Sequence, residues 1–187
     1  MSGWGMAELE AGLAEADRVL AAMTGITFRT TSLCVHVLEL EKVPGVAGES
    51  TRIRVAVYAR LSGDRPGHAC FLIEPATAER LADEMVGPGQ PPALRESALS
   101  ELCNVAGSAV LNSVSDAQGL SLIPSPPLMV QDMGGAVLQC VAAALATQPE
   151  VTVVQAVMDV GAESGPVYFL LLPEGPVSPA PDGRPPS

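Results

Sequence analysis

The chain has 187 residues, 48% of them hydrophobic, and a formal net charge of −11 at pH 7. This length is sufficient for one substantial core or for two smaller halves that share one. The negative charge argues against binding to nucleic acid or to an anionic membrane surface, because both kinds of binding need clustered Lys and Arg. An aromatic content of 3% also leaves few side chains on which nucleic-acid bases could stack.

The first 18 residues do not resemble a targeting signal. They have no basic start, and they carry Glu8, Glu10, Glu15 and Asp17. The most apolar window, residues 136–146, is about half as long as the roughly 20 residues that a membrane-spanning helix requires. We therefore expect a cytoplasmic protein that does not insert into membranes.

The first half of the chain is predicted to begin with an amphipathic helix at residues 6–24, which ends at Gly25. Three apolar strands should follow, and the last two should form a hairpin across a Gly-Asp-Arg-Pro-Gly turn. A helix is predicted to close this half. The predicted strands and closing helix are residues 26–43, 52–63, 67–75 and 76–87.

After a linker at residues 88–92, the second half is predicted to start with a long helix at 92–117. It should continue with shorter strands, a further helix and a final hairpin. These elements are residues 120–124, 128–133, 135–146, 151–160 and 166–174. The Pro-rich tail at 175–187 is predicted to be disordered.

The two predicted hairpins align with each other, residues 55–75 against 154–174. We therefore predict one α/β (α+β) domain over 1–174, built from two pseudo-symmetric halves at 6–87 and 92–174. Short turns cannot connect parallel strands, so the sheet should be mainly antiparallel. The two long helices should pack together on one side of it.

The second long helix has an unusual outer face. Because each helical residue advances 100°, Ser97, Glu101, Asn104 and Ser108 form one narrow stripe opposite the apolar face. A solvated face is the simplest explanation, but such faces usually carry Lys and Glu pairs four residues apart, and this stripe has none. A nearly uncharged stripe with one carboxylate and one carboxamide suits docking against another protein, and a carboxamide can orient a water molecule.

This stripe and its surroundings resemble the CheC/CheX/FliY family of chemotaxis phosphatases, and the CheC branch most. The family signature has Asp or Ser, three residues, Glu, two residues, Asn, then 22 residues and Pro. Here it reads Ser97, Glu101, Asn104 and Pro127 with every spacing intact. The resemblance implies a duplicated CheC-like fold over residues 6–174.

The resemblance implies hydrolysis of the aspartyl-phosphate on a response-regulator receiver domain of the CheY type. Glu101 would pair with the receiver's Lys, and Asn104 would orient the attacking water. Ser97 and Ser108 would contribute to the docking surface, and Pro127 would hold the adjacent loop. The protein would need no cofactor of its own, since the receiver supplies Mg²⁺.

The first half departs from the family pattern, because many CheC-type proteins repeat the motif in their first helix. Here the corresponding positions are Ala7 and Glu10, which cannot perform the proposed chemistry. We therefore expect a single working site, in the second half. No metal site is expected, because His36 and His68 stand singly in predicted strands.

An alternative is a non-catalytic binding module for a phospho-receiver, for the receptor deamidase CheD or for a component of the flagellar switch. Such a module would bind the phosphorylated receiver without accelerating phosphate loss. CheD also remains a possible second partner of an active phosphatase. A structural domain without any phosphorylated partner is a third alternative.

Overall fold

A computed structural model describes residues 4–145, 150–162 and 164–174. The predicted tail at 175–187 and the predicted end of a helix at residue 146 lie outside this part of the chain. The elements are α1 (Met6–Thr24), β1 (Phe28–Glu39), β2 (Ile53–Gly63), β3 (Gly67–Ile73), α2 (Pro75–Val86), α3 (Pro92–Gln118), β4 (Leu122–Pro124), β5 (Leu128–Met133), α4 (Gly134–Ala144), β6 (Glu150–Val160) and β7 (Val167–Pro173), with a 3₁₀ helix at Leu40–Gly45.

The strands form one sheet in the order β1-β6-β7-β3-β2, and both β4 and β5 pair with the outer side of β2. Every one of these pairs is antiparallel, as predicted. The order is two-fold symmetric about the central β7–β3 pair. Strand β1 of the first half pairs with the β6–β7 hairpin of the second half, and β4 and β5 of the second half pair with the β2–β3 hairpin of the first. The two halves therefore interlock within a single sheet.

The helices form layers on both faces of the sheet. The three helices α1, α2 and α3 share one apolar core with one face, and α4 and the 3₁₀ helix share a second core with the other. The prediction that the two long helices pack on one side is confirmed. Strand β3 is buried along its whole length because both of its faces are covered. Among the helices described, none has the length and hydropathy needed to cross a membrane.

Helix boundaries follow local sequence signals. Both long helices end at a glycine in the left-handed conformation, Gly25 (φ 73°) after α1 and Gly119 (φ 63°) after α3. Only glycine adopts this conformation without steric cost. Helices α2 and α3 begin with a proline, Pro75 and Pro92, which suits a first helical position that has no hydrogen-bond partner for its N–H.

The two halves repeat each other less completely than the sequence predicts. The first predicted strand, 26–43, ends at Glu39, and the chain then turns into the 3₁₀ helix, which contains Pro44. By its place before the hairpin, this short helix is the counterpart of α4, against which it packs. Helix α2 follows its hairpin and has no counterpart in the described part of the second half. The two halves therefore differ in the place of this helix within their order of elements.

Helices α1 and α3 pack tightly against each other at Gly12. A Cβ at this position would lie 2.7 Å from Cα and 2.9 Å from the carbonyl oxygen of Val110. Overpacking typically costs about 1–3 kcal/mol, and the contact here is with backbone, which cannot move aside. The backbone contact places Gly12→Ala at the upper end of this range. After subtracting roughly 1 kcal/mol for the better helix propensity of alanine, we expect the free energy of unfolding to fall by about 2 kcal/mol, measured by urea denaturation.

Gly45→Ala is a suitable control, because no atom lies within 4 Å of the Cβ that it would add. It should change the unfolding free energy by no more than about 0.5 kcal/mol. Equal stability of the Gly12→Ala and Gly45→Ala variants would contradict the tight α1–α3 contact.

Candidate functional site

The stripe predicted on the second long helix lies on α3 facing away from the core. Ser97 and Glu101 are exposed, whereas Asn104 and Ser108 are half-buried. The opposite side of α3 is buried against the sheet and α1, as expected from the apolar spacing. Its buried residues include Ala98, Leu99, Leu102, Cys103, Ala106 and Val110.

A small cleft lies between α3 and the loop that joins β4 to β5. Asn104 and Ser108 line it from the helix, and Pro127 lines it from the loop. Its cavity volume is about 30 Å³, which is enough for about one water molecule. The other lining residues are mainly apolar and include Val57, Ala59, Ala69, Phe71 and Leu111.

The cleft exists because the edge strand is interrupted opposite the middle of β2. β4 pairs with residues 61–63 of β2, and β5 pairs with residues 53–58. Between them stand Ser125, Pro126 and Pro127, and proline has no N–H to donate to the ladder. The structure thus brings Pro127 to the side of Asn104, although the two are distant in sequence.

Glu101 lies one helical turn before Asn104 and outside the cleft. Within the described part of the chain, neither side chain makes a hydrogen bond or an ion pair. An exposed carboxylate and a half-buried carboxamide, both without internal partners, are available to an external ligand. The structure thus brings Asn104, Ser108 and Pro127 together at the cleft. Ser97 and Glu101 lie on the preceding turns of the same helix, and the predicted roles of all five remain predictions.

The first-half positions can be compared directly with this stripe. When α1 and α3 are aligned on their capping glycines, the buried residues Leu9, Leu13, Ala16 and Leu20 fall on buried positions of α3. The same alignment places Ala7 opposite Glu101 and Glu10 opposite Asn104. Ala7 and Glu10 are both exposed. The burial pattern therefore supports the alignment from which we predicted a degenerate first-half site.

The two histidines have partners within the fold. His36 Nε2 lies 2.9 Å from Gln155 Oε1, and His68 Nδ1 lies 2.7 Å from the hydroxyl of Tyr58. The pKa of His68 is lowered, chiefly because burial disfavours the charged imidazolium, while nearby Glu174 acts in the opposite direction. No group of three or more potential metal ligands occurs in residues 4–145, 150–162 and 164–174.

The four cysteines are scattered in apolar surroundings without a CxxC pair, and this pattern predicts small core residues, with a reactive thiol as the alternative. Cys70 and Cys103 are buried, Cys34 is half-buried, and Cys140 is exposed on α4. Burial raises the pKa of Cys70 to about 12 and also raises that of Cys103, which keeps both as unreactive thiols. The prediction is right for these two and wrong for Cys140, because α4 turns that side of the helix to solvent.

Sequence reasoning missed Ser125, which belongs to the loop that carries Pro127. Its backbone N–H donates to the Arg60 carbonyl oxygen at 2.7 Å, and its Oγ accepts from the Arg60 N–H at 3.0 Å. The available signal was its position immediately before two prolines, where a side chain can replace missing main-chain hydrogen bonds.

No family model and no curated protein sequence matches this chain, but solved structures do. FliY from Thermotoga maritima superimposes with a TM-score of 0.67 at 17% identity, covering 87% of this chain and 85% of that one. A CheC-like superfamily protein from a Shewanella species has a TM-score of 0.62 at 13% identity, covering 91% and 99%. CheX from Borrelia burgdorferi, solved in complex with CheY, BeF3 and Mg²⁺, has a TM-score of 0.57 at 12% identity, covering 89% and 97%.

The interlocked antiparallel sheet with two long helices on one face defines a duplicated α/β fold. That fold is the one shared by the CheC, CheX and FliY proteins, as the sequence motif predicts. At these levels of identity the likeness concerns the fold, and the function has to be argued from the site.

Proposed function

We propose that this chain is a phosphatase that hydrolyses the aspartyl-phosphate of a CheY-type receiver domain. One observation carries the proposal. Asn104 stands at a cleft with room for about one water molecule, one turn after the exposed carboxylate of Glu101. This arrangement offers a charged docking group and a water-orienting group side by side on a rigid helix.

Phosphoryl transfer requires mainly positioning and stabilisation of charge. The carboxamide of Asn104 can both donate and accept a hydrogen bond, so it can hold a water molecule in line with the acyl-phosphate without deprotonating it. A hundredfold acceleration corresponds to a barrier lower by only about 2.7 kcal/mol. One well-oriented water molecule is sufficient for an effect of that size.

Glu101 would pair with the active-site Lys of the receiver and draw α3 onto the phosphorylation site. Ser97, one turn earlier, would contribute a small exposed contact, and Ser108, one turn after Asn104, would line the cleft from the same helix. Pro127 would form the opposite wall, since its ring is rigid. The Mg²⁺ ion belongs to the receiver substrate.

The partner is proposed from the motif and from the CheX complex with CheY, BeF3 and Mg²⁺, which has the same fold. The direct test is phosphate release from candidate phospho-receivers in the presence of Mg²⁺, with and without this protein. Faster release would support the proposal. Formation of a complex without faster release would instead favour the non-catalytic binding module.

The first-half helix should not contribute to catalysis. Glu10→Ala is expected to leave phosphate release within about twofold of the wild type, because a carboxylate at the Asn position cannot donate a hydrogen bond to water. Circular dichroism should confirm that the variant is folded. A large loss of turnover in a folded Glu10→Ala protein would show that the site lies on α1 and not on α3.

A further inference from the structure

The break between β4 and β5 is closed by hydrogen bonds of a single residue, Ser125, through both its backbone and its side chain. Ser125 donates its N–H to the Arg60 carbonyl oxygen (2.7 Å), and its Oγ accepts the Arg60 N–H (3.0 Å). The same hydroxyl donates to the Pro126 carbonyl oxygen at 3.2 Å. The side chain of Ser125 thus takes the place of the main-chain acceptor that the interrupted strand lacks.

These three bonds determine how the chain enters Pro126 and Pro127. Two successive prolines have restricted φ angles and cannot hydrogen-bond back to β2 through an N–H. The position of their rings is therefore set by the residue before them. Ser125 itself does not line the cleft, whereas Pro127 does, together with Asn104.

Because the cleft is small, the exact position of the loop that forms its wall is important. With a volume of about 30 Å³, it has room for about one water molecule. A displacement of the loop by about 1 Å would change how that water is held, and misplacements of this size can reduce a reaction rate by up to about a hundredfold.

Resting on the function proposed above, we infer that Ser125 is a positioning residue for the hydrolysis. It holds Pro127 against the cleft so that the water bound by Asn104 has one defined place. It acts through the loop, without touching the water or the phosphate.

The test compares Ser125→Ala with Ser125→Thr and with Ser62→Ala. Ser62 is a matched control because its Oγ also joins β2 to β4, by a 3.1 Å hydrogen bond to the Ile123 carbonyl oxygen, but away from the cleft. Ser125→Ala should lower phosphate release at saturating protein about tenfold. Its affinity for a receiver carrying a beryllofluoride phosphate mimic should stay within about twofold.

Ser125→Thr keeps the hydroxyl and should restore most of the turnover, and Ser62→Ala should match the wild type. Thermal unfolding should show that the variants are folded. If Ser125→Ala fails to fold, Pro127→Ala provides a second test, because it removes the cleft wall and should likewise lower turnover without lowering affinity.

Wild-type turnover in Ser125→Ala would overturn the inference. Parallel losses of affinity and turnover in this variant would also overturn it, because they would identify Ser125 as a docking contact. An inactive Ser125→Thr would overturn it too. A wild-type protein that releases no phosphate would refute the proposed function itself, and the positioning role with it. An active wild type with an equally active Ser125→Ala would refute only the role of Ser125.

Discussion

Asn104→Ala is expected to reduce the acceleration of phosphate release about a hundredfold, close to the spontaneous rate of the phospho-receiver. The substitution removes the carboxamide at the cleft while leaving the helix intact, because alanine has the higher helix propensity. Asn104 is half-buried and makes no hydrogen bond within the described chain, so the cost in stability should be at most about 1 kcal/mol. Phosphate release should be measured at saturating protein.

Affinity for the beryllofluoride-treated receiver should persist in Asn104→Ala, which separates catalysis from docking. Asn112→Ala is the matched control, since Asn112 is an exposed asparagine two turns further along the same helix. It should leave turnover unchanged. Full activity of Asn104→Ala would rule out the water-orienting role, and the non-catalytic binding module would then take its place.

Glu101→Ala should weaken affinity for the phosphorylated receiver about tenfold or more and should lower turnover as well. Hydrogen bonds to charged groups contribute about 1.5–3 kcal/mol. The substitution would remove the hydrogen bond between the Glu101 carboxylate and the receiver's active-site Lys, together with their ionic attraction. Because the carboxylate is exposed in the free protein, its removal should not destabilise the fold. Affinity can be measured by titration with the beryllofluoride-treated receiver.

The control for Glu101 is Glu96→Ala, an exposed acidic residue on a different side of α3. It makes the same change in net charge without altering the stripe, so affinity should stay within about twofold. The difference between the two variants should shrink as ionic strength rises, because salt screens exposed charges. Equal effects of both substitutions would point to a general charge effect and would contradict a specific pairing of Glu101.

The sequence alone determined the local elements of this protein. The helix at Met6–Thr24 and the start of α3 at Pro92 agree with the predicted bounds. Their ends are encoded by glycine, and their buried faces by apolar residues at helical spacing. The hairpins β2–β3 and β6–β7 were also predictable, since neighbouring strands joined by short turns must pair antiparallel. The narrow stripe on α3 follows from helical geometry in the same way.

Only the tertiary structure decided how distant segments meet. The pairing of β1 with β6 and of β5 with β2 joins segments far apart in sequence, and no local pattern specifies which edge a strand will choose. The placement of α4 on the opposite face from α3, and the exposure of Cys140, depend on the same assembly. The cleft that joins Asn104 to Pro127 forms because two prolines interrupt an edge strand opposite Arg60, where Ser125 completes the hydrogen bonding. Spacing in the sequence predicted that these residues belong together, but their contact depends on long-range strand pairing.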